Sequence, residues 1–151
     1  MMFLTHIVFG LLAALVSAPF FNTGNHYWYL FWVMFASGLP DIDTPKSRYG
    51  RKLGFLSSFI GFLFGHRGIF HSIWIALALS MPVYFFLSKF IGIALLVGYM
   101  SHLLIDGLTK EGVNFIHPFQ KLHMAGFIKT GTIMETAALA VIIVLIVINL
   151  F

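Results

Sequence analysis

The sequence predicts an all-α fold, a polytopic membrane helix bundle that forms a single domain over residues 1–151. Hydrophobic residues make up 60% of the chain and charged residues only 9%, whereas a soluble domain carries about 25% charged residues. The mean hydropathy is +0.95, and the chain has no cysteine. This composition excludes a soluble monomer, a disordered chain and a disulfide scaffold.

Long apolar runs predict about five transmembrane helices, each bounded by proline, glycine or polar residues. The first is interpreted as a retained span and not as a signal peptide, because no Lys or Arg precedes it. Pro82 predicts a kink in the third. The five predicted spans are Met2–Ala18, His26–Leu39, Ile69–Leu87, Phe90–Asp106 and Thr132–Phe151.

The apolar run Leu53–Phe64 is only 12 residues long. At ~1.5 Å per residue a helix of this length does not cross a ~30 Å hydrocarbon core. We therefore predict a re-entrant or interfacial helix, with a spanning segment as the open alternative. A spanning segment would place His66 and Asp41 on opposite sides of the membrane and would weaken the charge asymmetry described next.

The basic residues predict the orientation of the bundle. With five spans, eight of the nine Lys and Arg residues lie on the membrane side of Met1, and only Lys89 lies on the other. The positive-inside rule then makes the side of Met1 cytoplasmic. We expect a multi-pass protein of the inner (cytoplasmic) membrane with a cytoplasmic N-terminus. The net charge of +4 is small, so we expect no nucleic-acid partner.

Six of the seven histidines and all five acidic residues fall on this same side. His102 and Asp106 are four residues apart on one helix face, and ionisable residues near a membrane usually mark function. A set of His, Asp and Glu without thiols suits two or three Zn²⁺ ions, with Mn²⁺ or Fe as alternatives. The predicted metal ligands are His6, Asp41, Asp43, His66, His71, His102, Asp106, His117 and Glu135.

A cluster of this kind predicts hydrolysis of phosphoesters. Bound metal ions generate hydroxide near neutral pH and stabilise the oxygens of a phosphoryl displacement. Asp43 or Asp41 would orient the nucleophile or accept its proton, and Arg67 would stabilise the charge that develops on the phosphoryl group. Because the site lies at the edge of the bilayer, we expect a lipid or lipid-linked substrate.

Several motifs resemble those of the YdjM-like family, whose members are described as inner-membrane proteins with a proposed metal-dependent hydrolase activity. The ligand pattern is also similar to that of zinc-dependent phospholipase C and P1 nuclease. The resemblance implies metal roles for the residues named above, and it implies a regulatory protein partner, since some members are described as binding LexA. The motifs are Thr5-His6, Leu39-Pro-Asp-Ile-Asp43, His66-Arg-Gly-Ile-Phe-His-Ser72, Ser101-His-Leu-Leu-Ile-Asp-Gly107 and Glu135.

Two other functions stay open on the sequence. A divalent-metal transporter would also place His and Asp on a span, although transport sites usually lie at the membrane midplane. A non-catalytic membrane scaffold could bind a regulatory protein through the basic loop 46–52. The sequence leaves open the substrate, the oligomeric state, and whether His117, His123 and Glu111 join the site.

Overall fold

The computed structural model describes residues 1–21, 26–45, 47–64, 68–119 and 122–150, with only the backbone at residues 60, 61, 63 and 64. It confirms the all-α helical bundle. Two short strands, β1 (Val113–Asn114) and β2 (His123–Met124), pair antiparallel in the long loop before the last helix. The helices are α1 (Phe3–Ser17), α2 (His26–Ala36), α3 (Arg48–Leu53), α4 (Phe55–Phe64), α5 (Ile73–Pro82), α6 (Lys89–Gly107) and α7 (Ile133–Leu150).

Three helical segments of the described chain are long and apolar enough to cross a membrane, namely Phe3–Phe20, Lys89–Gly107 and Ile133–Leu150. The other two predicted spans are shorter. Helix α2 has 11 residues, which is about 16 Å of helix at ~1.5 Å per residue. The segment Ile73–Leu87 reaches about 22 Å.

Both short spans are shorter than the sequence predicts, because turns replace the helix at one end of each. Helix α2 ends at Ala36, and a 3₁₀ turn follows at Leu39–Asp43. The third span begins at Ile73, because Ser72 is extended, with φ −120° and ψ 155°. The predicted kink at Pro82 corresponds to a change from α-helical to π-helical geometry over Val83–Leu87, as expected where a ring without an N–H interrupts the helix.

The predicted re-entrant or interfacial segment consists of α4 and the end of α3. Gly54 separates the two helices at φ +54°, a conformation that favours glycine. Helix α4 has 10 residues, too few to cross a ~30 Å core. The Ser57 hydroxyl donates to the Ile42 carbonyl at 2.7 Å and ties α4 to the 3₁₀ turn that carries Asp41.

Helix α6 is the centre of the bundle and packs against α1, α2 and α5. Glycines allow these helices to approach closely. A Cβ atom on Gly98 of α6 would lie 2.3 Å from the Val33 carbonyl oxygen, and one on Gly10 of α1 would lie 2.7 Å from Ser37 Oγ. The C-terminal end of α2 is therefore held tightly between α1 and α6, and this contact brings the backbone of Ser37 to the functional site.

Candidate metal centre

Five of the predicted ligands meet at one end of the bundle. His6 lies near the start of α1, and Asp41 lies in the 3₁₀ turn after α2. His71 ends the 3₁₀ turn Ile69–His71 before α5, whereas His102 and Asp106 lie one turn apart near the end of α6. Because alternate helices of the bundle run in opposite directions, the starts of α1 and α5 and the ends of α2 and α6 come together.

These residues form two groups that could hold a metal ion. In each group the ligand atoms lie within 4.8 Å of one another; one group is His6, Asp41 and His102, and the other is His71, His102 and Asp106. His102 belongs to both groups. Since one imidazole nitrogen binds one ion, the two groups are halves of one continuous centre and not two independent sites.

The backbone fixes the orientation of His102. Its Nδ1 lies 2.7 Å from the Ser37 carbonyl oxygen, inside a fully buried contact. A carbonyl oxygen only accepts hydrogen bonds, so Nδ1 carries the hydrogen and Nε2 of the neutral ring presents a lone pair. That Nε2 lies 3.7 Å from Asp106 Oδ2 and 3.9 Å from Asp41 Oδ1. A lone pair that faces two carboxylates is the arrangement expected around a cation.

Asp43 lies behind His71. Its Oδ2 is 3.3 Å from His71 Nδ1, and its Oδ1 accepts a hydrogen bond from the Thr44 hydroxyl at 3.0 Å. A carboxylate at Nδ1 favours the tautomer whose Nε2 lone pair is available, and His71 Nε2 lies 3.3 Å from His102 Nε2. Metal-binding histidines commonly have such a carboxylate partner. Asp43 belongs to neither metal group of the described chain; its contact suits the positioning of His71, and its predicted metal and catalytic roles stay predictions.

His6 is the most clearly unsatisfied side chain of the centre. It is 1% exposed and stacks on His102, with ring centroids 3.9 Å apart and planes inclined by 10°. Neither of its ring nitrogens makes a hydrogen bond to the residues that the structure describes, and Nε2 lies 3.5 Å from Asp106 Oδ1. A buried polar atom without a partner costs about 1–3 kcal/mol. A bound cation would remove this penalty, so the donor set fits a metal ion.

Asp106 joins the centre to the beginning of α1. Its Oδ1 accepts a hydrogen bond from the Met1 nitrogen at 3.1 Å, whereas its Oδ2 faces His71 at 3.8 Å. Burial differs along the centre. The Asp106 and Asp43 side chains are at most 2% exposed, but that of Asp41 is 17% exposed. Of these three carboxylates, Asp41 is thus the one that solvent or a substrate can reach.

Glu135 is fully buried but lies in neither metal group of the described residues. Its Oε1 accepts hydrogen bonds from the Met2 N–H at 2.6 Å and the Thr5 hydroxyl at 3.1 Å, and its Oε2 accepts one from the Gly131 N–H at 2.7 Å. Three donors satisfy this carboxylate and tie the start of α1 to that of α7. The structure therefore shows a helix-connecting role, and the predicted metal role stays a prediction.

The remaining predicted residues are placed as follows. His66 and Arg67 lie outside the described residues. His117 follows β1 and is partly buried; it belongs to neither metal group in the described part of the chain. His123 and Glu111 are exposed, and the Glu111 carboxylate accepts a hydrogen bond from Thr130 at 3.3 Å.

Comparison with known proteins agrees with the membrane architecture. A family model described as "YdjM inner membrane protein" matches residues 1–151. The chain belongs to this family. Together with the long apolar helices, membership places it in the inner membrane.

Two relatives show how far the similarity extends. "Uncharacterized protein YvsG" of Bacillus subtilis (strain 168) is 32% identical over 150 residues, covering 90% of this chain and 86% of the relative. "Inner membrane protein YdjM" of Escherichia coli (strain K12) is 40% identical over 86 residues, covering 53% of this chain and 44% of the relative. No solved structure matches the chain.

The sequence pattern does not reveal that a backbone carbonyl of this chain contributes to the site. The Ser37 carbonyl orients His102, but no side-chain motif in the sequence indicates this contact. The only signal is indirect, since Gly98 precedes His102 by one helical turn and lets α2 approach. Arg48 and Arg51 belong to the basic loop 46–52, which the sequence links to orientation or to a protein partner. In the structure they line a cleft beside Asp41, together with Met1, Met2, Phe3, Leu4, Thr44, Ser47 and Thr130.

Proposed function

We propose that this protein is a membrane-embedded, metal-dependent hydrolase that cleaves phosphoester bonds of a lipid or lipid-linked substrate. The observation that carries the proposal is the pair of ligand groups that share His102, namely His6, Asp41 and His102, and His71, His102 and Asp106, each with its ligand atoms within 4.8 Å of one another. Two or three Zn²⁺ ions suit this thiol-free donor set, with Mn²⁺ or Fe as alternatives. The phosphoester class is the part of the proposal that rests on the sequence motifs alone, through their resemblance to the ligand pattern of zinc-dependent phospholipase C and P1 nuclease.

In the proposal, some residues bind the metal and others orient those ligands. His6, Asp41, His71, His102 and Asp106 would hold the metal, which supplies Lewis acidity and makes water nucleophilic near neutral pH. Asp43 holds the His71 ring in the tautomer that offers Nε2, and the Ser37 carbonyl does the same for His102. Because their rings are already oriented, His71 and His102 can bind the metal without rearrangement.

Asp41 has a second role in the proposal. It is the ligand nearest the open cleft, so it can accept a hydrogen bond from the attacking water and take its proton as the P–O bond forms. The proton then passes to the leaving alkoxide oxygen as the ester bond breaks. Arg67 would stabilise the negative charge of the phosphoryl oxygens.

The bias of Lys and Arg toward the side of the metal ligands supports a cytoplasmic-facing site. A site at the edge of the bilayer would favour a lipid substrate, whose headgroup phosphate lies near the membrane surface. The open cleft at Asp41 supplies a route by which such a headgroup could reach the centre.

The test uses the full chain purified in mild detergent with added Zn²⁺ or Mn²⁺. Hydrolysis of bis-(p-nitrophenyl) phosphate and of a fluorescent phosphatidic acid is measured for the wild type, His102→Ala and Asp41→Asn. His123→Ala is the matched control, because this histidine is exposed and outside both metal groups of the described chain. We expect turnover in the wild type and in the control only. Equal turnover in all four proteins, each folded by circular dichroism, would refute the proposal.

A further inference from the structure

A cleft of about 520 Å³ with both polar and apolar lining residues opens beside Asp41 at the edge of the candidate metal centre. One wall comes from the first residues of the chain, and the other comes from the turn after α2 and from α3. Its charged lining residues are Asp41, Arg48 and Arg51. The cleft therefore places two guanidinium groups next to the one metal ligand that is partly exposed.

Both arginines are available to a ligand. They are exposed, they lie three residues apart on α3, and the described residues offer neither of them an ion pair or a side-chain hydrogen bond. Residues three apart on a helix face the same way. Arg48 lies over the Phe3 ring, 5.2 Å from its centroid, which limits the positions that its guanidinium can take.

The hydroxyl groups of the cleft are already engaged. Thr44 donates to the Asp43 carboxylate at 3.0 Å, and Ser47 donates to a backbone carbonyl at 2.7 Å. Thr130 donates to an exposed carboxylate at 3.3 Å. The guanidinium groups are therefore the strong donors that remain for a bound molecule, and their fork geometry suits phosphate.

The surroundings favour a lipid as the source of that phosphate. Helix α4 follows α3 directly and presents Phe55, Phe59 and Phe62 at 84%, 47% and 86% exposure. Exposed aromatic rings beside basic residues are typical of an element that lies at the membrane interface. Acyl chains could then lie along α4 while the headgroup phosphate enters the cleft.

We propose that Arg48 and Arg51 form a subsite for the phosphate group of an anionic lipid. Assigning this phosphate to the substrate rests on the proposed hydrolase function, but the binding itself does not. Asp41 couples the subsite to the metal centre, because its negative charge opposes a nearby phosphate until a cation neutralises it. Lipid and metal should therefore strengthen each other's binding.

The first experiment measures binding of dioctanoyl phosphatidic acid to the full chain in detergent with a chelator present, by titration calorimetry. Loss of one guanidinium–phosphate contact in Arg48→Ala or Arg51→Ala should weaken binding about tenfold. Lys52→Ala is the matched control; it removes the same charge from the same helix but does not line the cleft, so its affinity should change less than about twofold. Equal affinities of the arginine variants and the control would overturn the subsite.

Two further arms separate the alternatives. Inorganic phosphate should bind with the same arginine dependence but far more weakly; an affinity equal to that of the lipid would overturn the lipid assignment. Added Zn²⁺ should tighten lipid binding in the wild type and not in His102→Ala. Arginine-dependent binding without a zinc effect would support the subsite and count against the metal centre. Zinc-dependent hydrolysis with lipid binding that ignores both arginines would support the hydrolase and overturn the subsite.

Discussion

Gly98→Ala tests whether close packing of α2 on α6 builds the metal centre. The added Cβ would lie 2.3 Å from the Val33 carbonyl oxygen and 2.7 Å from Ala36 Cβ, whereas real Cβ contacts stay beyond 3.0 Å. Helix α2 must therefore move by at least the difference between 3.0 Å and 2.3 Å, about 0.7 Å. Backbone atoms yield poorly to such overpacking, which costs about 1–3 kcal/mol.

The displacement would also reach the ligands. Ser37 follows Ala36 directly, and its carbonyl oxygen lies 2.7 Å from His102 Nδ1. A shift of this size weakens the hydrogen bond that fixes the His102 tautomer, and losing such a partner typically lowers metal affinity about 10–100-fold. We therefore expect Gly98→Ala to lower both the midpoint of thermal unfolding and the affinity for Zn²⁺.

The assay combines thermal unfolding in detergent with Zn²⁺ titration against a chromophoric chelator. Gly107→Ala is the matched control, because a Cβ at Gly107 on the same helix would meet its nearest atom at 3.4 Å, an ordinary contact. The reasoning fails if Gly98→Ala binds Zn²⁺ and unfolds as Gly107→Ala does.

Three further predictions concern individual side chains. Asp43→Asn should keep the fold but weaken Zn²⁺ binding about 10–100-fold, measured by the same titration; unchanged affinity would remove the positioning role. Glu135→Gln should lower the free energy of unfolding by about 1–3 kcal/mol, since it replaces a buried acceptor of three hydrogen bonds, and should retain Zn²⁺; loss of metal without loss of stability would instead make Glu135 a ligand. Metal removal by a chelator should lower the unfolding midpoint of the wild type more than that of His6→Ala, which keeps only the group of His71, His102 and Asp106; an equal drop in both would contradict metal binding at His6.

The convergence of the ligands could be predicted from the sequence, because spans that alternate in direction bring the ends of α2 and α6 to the starts of α1 and α5. This logic placed His6, Asp41, His71, His102 and Asp106 together, and the structure brings them within contact distance. This prediction requires only the order of apolar runs and helix breaks along the sequence.

The different contacts of the neighbouring acids Asp41 and Asp43 could not be predicted from the order of the spans. Asp41 and Asp43 are two residues apart in a 3₁₀ turn, and only the folded turn shows that one faces the metal group while the other faces His71. The sequence predicts Glu135 as a metal ligand, whereas in the structure its carboxylate accepts hydrogen bonds from the backbone N–H groups of Met2 and Gly131. Backbone donors of this kind have no signature in the sequence.

The lengths of the two short spans also could not be predicted from the hydropathy of the sequence. Hydropathy treats residues 37–39 and 69–72 as continuations of apolar runs, but the backbone there forms a turn, 3₁₀ segments and an extended residue. These turns carry Asp41 and His71 inward. The places where the helices end early are thus the places that supply the ligands.

The most direct test of the central claim is the metal content of the protein purified from the membrane without added metal, measured by plasma mass spectrometry. A buried centre of His and Asp predicts at least one equivalent of a transition metal per chain in the wild type and in His123→Ala, and its loss from His102→Ala with the fold retained. Metal-free wild-type protein that also takes up no Zn²⁺, Mn²⁺ or Fe²⁺ on titration would contradict the claim.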